Sequence, residues 1–295
     1  MRIGRKPATG YLYILPLIVL VAVFSVYPTL NVLWMSVHEI ALSNLREAKF
    51  IGIQNYLVLF KTTNPPLGRI LWLTFTFVFV SVIFHVVLGF TLANLLNISW
   101  VRGKNTWRNL FMISWVAASI IIGYTFRFLF EPRSGILNHL MRLLHLPTQA
   151  WAADPQLALP VIIVVNIWRG VPYSLIIQTA GLQSVNTELY DAAVVDGANA
   201  LQILSRIKIP LVKEFLLLDI ILDTTDTFQV FETILAITGG GPLHKTETIA
   251  LYMYHQAFRF GEVGKGSGIG VVLLLISLVF AVIYIKFFKP TRDVL

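Results

Sequence analysis

Six apolar runs constrain this chain more than anything else in it. They cover roughly 10–37, 70–97, 107–130, 157–182, 211–237 and 267–288, and each reaches the length of about 20 mostly apolar residues that crosses a hydrocarbon layer. Inside lipid a peptide group has no water to bond, so each run is expected to be helical. The expected class is therefore an all-α polytopic membrane protein with six transmembrane helices. Composition agrees. The chain is 56% hydrophobic and 13% charged, with mean hydropathy +0.74, where a soluble domain carries about 25% charged residues. Residues 1–295 read as one transmembrane domain, because the longest stretches between runs, about 38–69 and 238–266, are too short to stand apart.

The net charge of +8 raises nucleic acid as a partner. Bases flanking membrane segments explain it more economically, so no nucleic acid is expected. Placing the N-terminus inside puts Arg2, Arg5, Lys6, Arg102, Lys104, Arg108, Arg206, Lys208, Lys213, Lys286, Lys289 and Arg292 on the inner side. The outer bases share their loops with Glu39, Glu47, Glu131, Asp154, Glu247 and Glu262. Both termini are thus expected in the cytoplasm of a multi-pass protein. The first run follows a basic start, but it is too long for a signal peptide and reads as a retained span. Cysteine is absent, which removes disulfides, thiolate metal sites and cysteine nucleophiles.

With that orientation the polar stretch "ELYDAAVVDGANALQILSRIKIP", 188–210, lies in the cytoplasm between the fourth and fifth runs. "TELYDAAVVD" is helix material with an N-cap at Asn186 or Thr187. Gly197 supplies a positive φ for a turn. "ANALQILSRIKI" forms a second short helix, and Pro210 opens the fifth run. Leu189, Tyr190, Val194 and Val195 give the first helix an apolar face. Such a segment is either a knob that docks into a partner or a loop resting on headgroups.

Asp191-Ala192-Ala193 followed by Gly197, Ile207 and Pro210, with Asp196-Gly197-Ala198 as an extension, resembles the "EAA" loop of permease subunits in binding-protein-dependent ABC importers. Asp191 stands where that pattern has Glu, Leu204 where it has Phe, and Ile209 where it has Leu. The likeness runs on through "FIGIQNYLVLF", "WRGVPYSLIIQTAGLQSV" and "ILAITGGGPLHKTETIALYMYHQAF", which look like the carbohydrate branch and its maltose-type first permease. The resemblance implies a type I ABC importer core in a bacterial inner membrane, with 183–210 as its coupling loop. Tyr190, Asp191, Ala192, Ala193, Asp196, Gly197, Ala198, Ile207 and Pro210 would couple to an ATPase. It implies as partners a second homologous permease, two cytoplasmic ATP-binding subunits, a solute-binding protein outside and a saccharide substrate. No cofactor is expected in this chain, since ATP and Mg would sit on the ATPase subunits.

The fifth run carries Asp219, Asp223 and Asp226, which fall within about 60° of one another on a helix turning 100° per residue. A carboxylate facing lipid costs at least about 2.5–3.5 kcal/mol. The three must face a water-filled path or pair with bases, for which Arg127, Arg169 and His85 are candidates. A structural polar network at a subunit interface is the plainer alternative. The resemblance implies substrate contacts at Gly170, Tyr173, Asp223, Asp226, Thr227 and Val230. Gly170 and Pro172 are expected to break the fourth run. The family does not usually have Asp at the fifth-run positions, so specificity does not carry over. Carboxylates suit a hydroxyl-rich ligand and repel an anionic one unless neutralised.

Other patterns dissolve on inspection. "GGGPLHKT" is one residue from a phosphate loop, but His244 replaces the second glycine and Pro242 removes a backbone donor. The six histidines show no ligand spacing, His85 reads as a satisfied bundle residue, and "MRLLHL" reads as a short surface helix. No metal signature exceeds a loose carboxylate cluster, and no nucleophile–base set supports catalysis. The remaining alternative is a secondary transporter using Asp219, Asp223 and Asp226 as a proton or cation relay.

Overall fold

The structure, a computed structural model, describes residues 7–98 and 101–287. Arg2, Arg5, Lys6, Lys289 and Arg292, on which the orientation of the termini partly rests, lie outside the described residues.

The first apolar run forms α1 (Pro7–Val21) and α2 (Tyr27–Ser36), joined without a break by a π-helical turn, Ala22–Val26. A short hairpin follows, β1 (His38–Ala41) and β2 (Asn44–Phe50), then α3 (Gln54–Lys61). The second run is one helix of 31 residues, α4 (Leu67–Asn97). The third is α5 (Lys104–Val116) and α6 (Ser119–Leu129), and α7 (Ile136–Leu143) takes in only the first three residues of "MRLLHL". The fourth is α8 (Ala158–Gln183). The polar loop holds α9 (Glu188–Val195) and α10 (Ala200–Ile203), and a second π turn, Leu204–Lys208, leads into α11 (Ile209–Phe228). After α12 (Glu232–Ile237) and α13 (Ile249–Tyr254), a third π turn, His255–Arg259, precedes α14 (Val263–Phe287).

Three expectations need correction. The fold is mostly helical but not all-α, because β1 and β2 pair antiparallel with His38 opposite Phe50 and Glu39 opposite Lys49. The third run is not one straight span, since α5 and α6 meet at 93°. Gly170 and Pro172 do not break the fourth run, and α8 passes through both. Of the six expected spans, four helices among the described residues are long and apolar enough to cross a membrane, or five if the bent pair is one span, by length and composition alone. The shortfall is α11. It has the length, but Lys213, Glu214, Asp219, Asp223 and Asp226 make it too charged, and it ends at Phe228 where the run was expected to continue to 237.

The chain groups into two compact units. One joins the N-terminal residues up to Pro66 with Tyr252–Leu274. There the buried Asn55 amide donates to the carbonyls of Ser36 (2.8 Å) and His38 (3.0 Å), which pins the hairpin to α3. A Cβ on Gly264 would lie 2.1 Å from the His38 carbonyl oxygen, so only glycine lets α14 start against the hairpin.

The other unit joins Leu67–Leu251 with the residues from Leu275. Its spine is α4, packed on α8 and α11. Phe75, Phe228 and Phe280 meet with ring centroids 5.4–6.1 Å apart. Ala93, Leu175, Leu182 and Val212 form a fully buried cluster towards the other end of α4. Close approach of α4 and α8 depends on Gly89, where a Cβ would lie 2.6 Å from the Ser174 Cβ and 3.0 Å from the Leu175 nitrogen. Backbone cannot yield there, so Gly89→Ala is expected to destabilise the chain by about 1–3 kcal/mol, the usual cost of overpacking. A lower melting temperature of the detergent-solubilised protein checks this, and an unchanged one contradicts the tight crossing.

Candidate functional site

The residues expected to meet substrate converge on α8 and α11. Helical spacing puts Asn166, Gly170 and Tyr173 on one face of α8. Gly170, Tyr173, Asp223, Asp226 and Thr227 line one cavity of about 240 Å³, together with His85 from α4, Trp115 from α5, and Asn166 and Arg169 from α8. Val230 is not among them. It follows the end of α11 and lines a smaller neighbouring cavity that shares Arg169 and Asp226. Trp115 and Tyr173 stack with centroids 5.7 Å apart and planes 23° apart, giving the cavity an aromatic wall.

The three carboxylates have different surroundings. Asp219 is fully buried and accepts hydrogen bonds from the Ser174 hydroxyl (3.0 Å) and the Gln178 amide. Asp223, 3% exposed, pairs with His85, whose Nδ1 lies 2.8 Å from Oδ2. The second ring nitrogen, Nε2, faces the Asn166 carbonyl at 3.0 Å. The carbonyl can only accept, so Nε2 donates to it, and the Nδ1 contact with Asp223 holds a further proton between ring and carboxylate. A Cβ on Gly170 would lie 2.3 Å from the His85 ring, so this glycine makes room for the imidazole as well as lining the cavity. Asp226 remains exposed beside Arg169 on the cavity wall. The Arg169 Nε and the Asn166 Nδ2, both buried, have no protein partner, so the cavity offers two uncommitted donors beside one carboxylate.

Of the bases proposed as partners for these acids, His85 pairs and Arg169 stands close. Arg127 instead reaches the Ala236 carbonyl at 3.4 Å. Trp115 and Asn166 are the residues that the sequence did not point to. Asn166 had a usable signal, lying four residues before Gly170 on the same helical face. Trp115 had none, because its position depends on the bend between α5 and α6.

The polar loop is built as its residues suggest. The Asn186 side chain accepts from the Glu188 N–H at 3.0 Å and starts α9, so Asn186 takes the capping role that Thr187 leaves unfilled. Gly197, at φ +79°, ends it, with the Ala198 N–H on the Ala193 carbonyl (2.9 Å) and the Gly197 N–H on the Val194 carbonyl (3.0 Å). This is the two-bond closure that favours glycine after a helix. Asn199 and Gln202 cap α10 reciprocally. Tyr190, Asp191, Ala192, Ala193, Asp196, Gly197 and Ala198 thus sit on α9 and its cap, Ile207 in the π turn, and Pro210 in the first turn of α11. Leu189, Val194, Val195 and Leu201 are exposed, Val195 to 87%. Lys208 turns inward, over the Tyr190 ring at 5.2 Å and onto the Asn94 side-chain oxygen at 2.9 Å. Its partial burial lowers its ammonium below the usual lysine range.

Comparison with known proteins follows these features closely. Residues 85–289 match the family described as binding-protein-dependent transport system inner membrane component. A trehalose/maltose transport system permease protein of Thermococcus litoralis is 31% identical over 98% of this chain and 96% of its own length. An arabinooligosaccharides transport system permease protein of Bacillus subtilis is 29% identical over 95% of this chain and 88% of its own. In three dimensions the chain is similar to one chain of a bacterial alginate ABC transporter, solved in complex with an alginate pentasaccharide-bound periplasmic protein. The TM-score is 0.82 at 20% identity, with 95% and 93% of the two chains covered, a likeness of fold.

Proposed function

This chain belongs to the inner membrane components of binding-protein-dependent transport systems, and from that premise we propose that it is the permease subunit of an ATP-driven ABC importer for a sugar or oligosaccharide. It forms the translocation path with a second, homologous permease. A solute-binding protein delivers the saccharide to the outer loops around 38–69 and 243–262. Two ATPase subunits, which carry ATP and Mg, dock on the loop from Tyr190 to Pro210. Six passes then cross a bacterial inner membrane, with α5–α6 as one bent pass and α11 as a polar one, and both termini are cytoplasmic.

The observation that carries this reading is the cavity. Five residues that a sugar-contact pattern singles out line it together, inside a mostly apolar helical bundle. Sugar hydroxyls both donate and accept, and the cavity has donors at Asn166 and Arg169, an acceptor at Asp226 and an aromatic wall for a ring face. The names of the relatives, trehalose/maltose and arabinooligosaccharides, support a saccharide. The relay alternative is not favoured, because Asp219 and Asp223 are held by fixed partners.

The test is binding and uptake by the purified complex across a panel of neutral and acidic saccharides. Failure to take up any saccharide, alongside uptake of another class, would end the proposal. Topology is tested separately in this cysteine-free chain. Ser184→Cys is expected to react with impermeant reagents only from the cytoplasmic side, and Lys245→Cys only from outside, both positions being exposed. The opposite pattern would detach the loop from any ATPase.

A further inference from the structure

We infer that Lys208 is a positioning residue that locks the docking helix α9 to the cavity-lining helix α4, so that movement imposed on the loop reaches His85. The inference rests on the proposed role of the loop. Three bases lie on the π turn and the start of α11, and two of them, Arg206 and Lys213, are exposed. Lys208 alone of the three folds inward and makes two directed contacts. Its ammonium lies 5.2 Å from the Tyr190 ring centre on α9, and donates at 2.9 Å to the Asn94 oxygen on α4. A long flexible side chain that serves only solubility has no reason to be held at both ends, since fixing it costs rotamer freedom.

From Asn94 the path continues along α4, which runs unbroken from Leu67 to Asn97 with no proline inside. Nine residues separate Asn94 from His85, about 13.5 Å along an α-helix. His85 is bonded to Asp223 on α11 and to the Asn166 carbonyl on α8, and its ring sits against Gly170. Three cavity helices therefore meet partway along the rod whose near end Lys208 grips. A displacement of α9 that pulls on Lys208 shifts α4, and α4 carries the imidazole that fixes one wall of the cavity. Spatial continuity alone does not establish coupling, so the test must read a response at the cavity to an event at the loop.

The readout is a cysteine at the cavity. Trp115→Cys places one thiol on its exposed wall, and the tagged complex is treated with N-ethylmaleimide with and without the non-hydrolysable ATP analogue AMP-PNP and Mg. Nucleotide is expected to change the alkylation rate of this chain by about five-fold or more, the lower range of allosteric coupling. Lys208→Met is expected to reduce that response to less than about two-fold without loss of ATP hydrolysis. Lys208→Arg, which keeps the charge and the reach, restores it, as a merely space-filling role would not require. Asn94→Leu severs the arm to α4 alone and is expected to behave as Lys208→Met, which covers the case in which the lysine variant fails to assemble. A full response in Lys208→Met or in Asn94→Leu overturns the inference. If Trp115→Cys alone shows no nucleotide response, the docking role of the loop fails, and this inference falls with it. If Gly197→Asp removes the response while Lys208→Met keeps it, the docking role stands and the lock is refuted.

Discussion

Gly197→Asp is expected to abolish transport while leaving the fold of the isolated chain nearly intact. Gly197 sits at φ +79°, and a Cβ built there meets nothing within 4 Å. The cost inside the chain is therefore conformational and amounts to about 1–2 kcal/mol for an L-residue in the left-handed region. A partner seated on the exposed face of Leu189, Val194 and Val195 changes that balance. It would bury an unpaired carboxylate, which costs about 3–5 kcal/mol, and each 1.4 kcal/mol is about tenfold in docked complex. Uptake then falls by roughly two orders of magnitude or more. Gly197→Ala, which carries only the conformational cost, should lose much less. The measurements are uptake, ATP hydrolysis and melting temperature of the same preparations. Normal uptake with substrate-stimulated hydrolysis in Gly197→Asp would show that no partner occupies this turn.

His85→Leu should damage the protein in the opposite way, through stability before transport. It leaves Asp223, 3% exposed, without its imidazole partner. Removing one member of a buried pair costs about 3–5 kcal/mol, because the other charge is left uncompensated. The expected outcome is a sharp fall in yield of assembled complex and in melting temperature. His85→Leu with Asp223→Asn removes both members of the pair and should recover most of the stability. Asp226→Asn provides the contrast. It should change apparent affinity or selectivity for the transported saccharide with yield near wild type, since Asp226 is exposed on the cavity wall. Equal yields in wild type and His85→Leu would mean that the pair does not hold α4 to α11.

Much of this was legible in the residues, and what was hidden was hidden for physical reasons. The long helices announce themselves because lipid demands unbroken apolar length. The bend between α5 and α6 does not, since "SWVAAS" holds no proline or glycine and Ala117 simply turns extended at ψ 139°. The hairpin was invisible because β2 is exposed along nearly its whole length and shows no two-residue alternation. At the cavity, the acids and His85 stood out as charges misplaced in apolar runs, so both partners of the buried pair could be named. Their pairing could not, because it depends on the crossing of α4 over α8 that Gly89 permits. Pro172 misled for a related reason. A proline removes one donor from a helix, but α8 is held by neighbours along its length and continues.

The π turn at Leu204–Lys208 has a consequence for inheritance. There the Ile209 N–H reaches back five residues to the Leu204 carbonyl, which inserts one residue beyond the α-helical repeat. Losing any one of these residues would restore an ordinary helix and swing everything upstream by about 100° relative to the acids of α11. Side-chain substitutions in this turn leave the angular phase alone. A single-codon deletion would reset it, turning the face of α9 away from whatever the acid stripe keeps it aligned with. For this angular phase, drift in sequence across the turn is cheap and drift in length is not, whatever contacts a single side chain such as Lys208 makes.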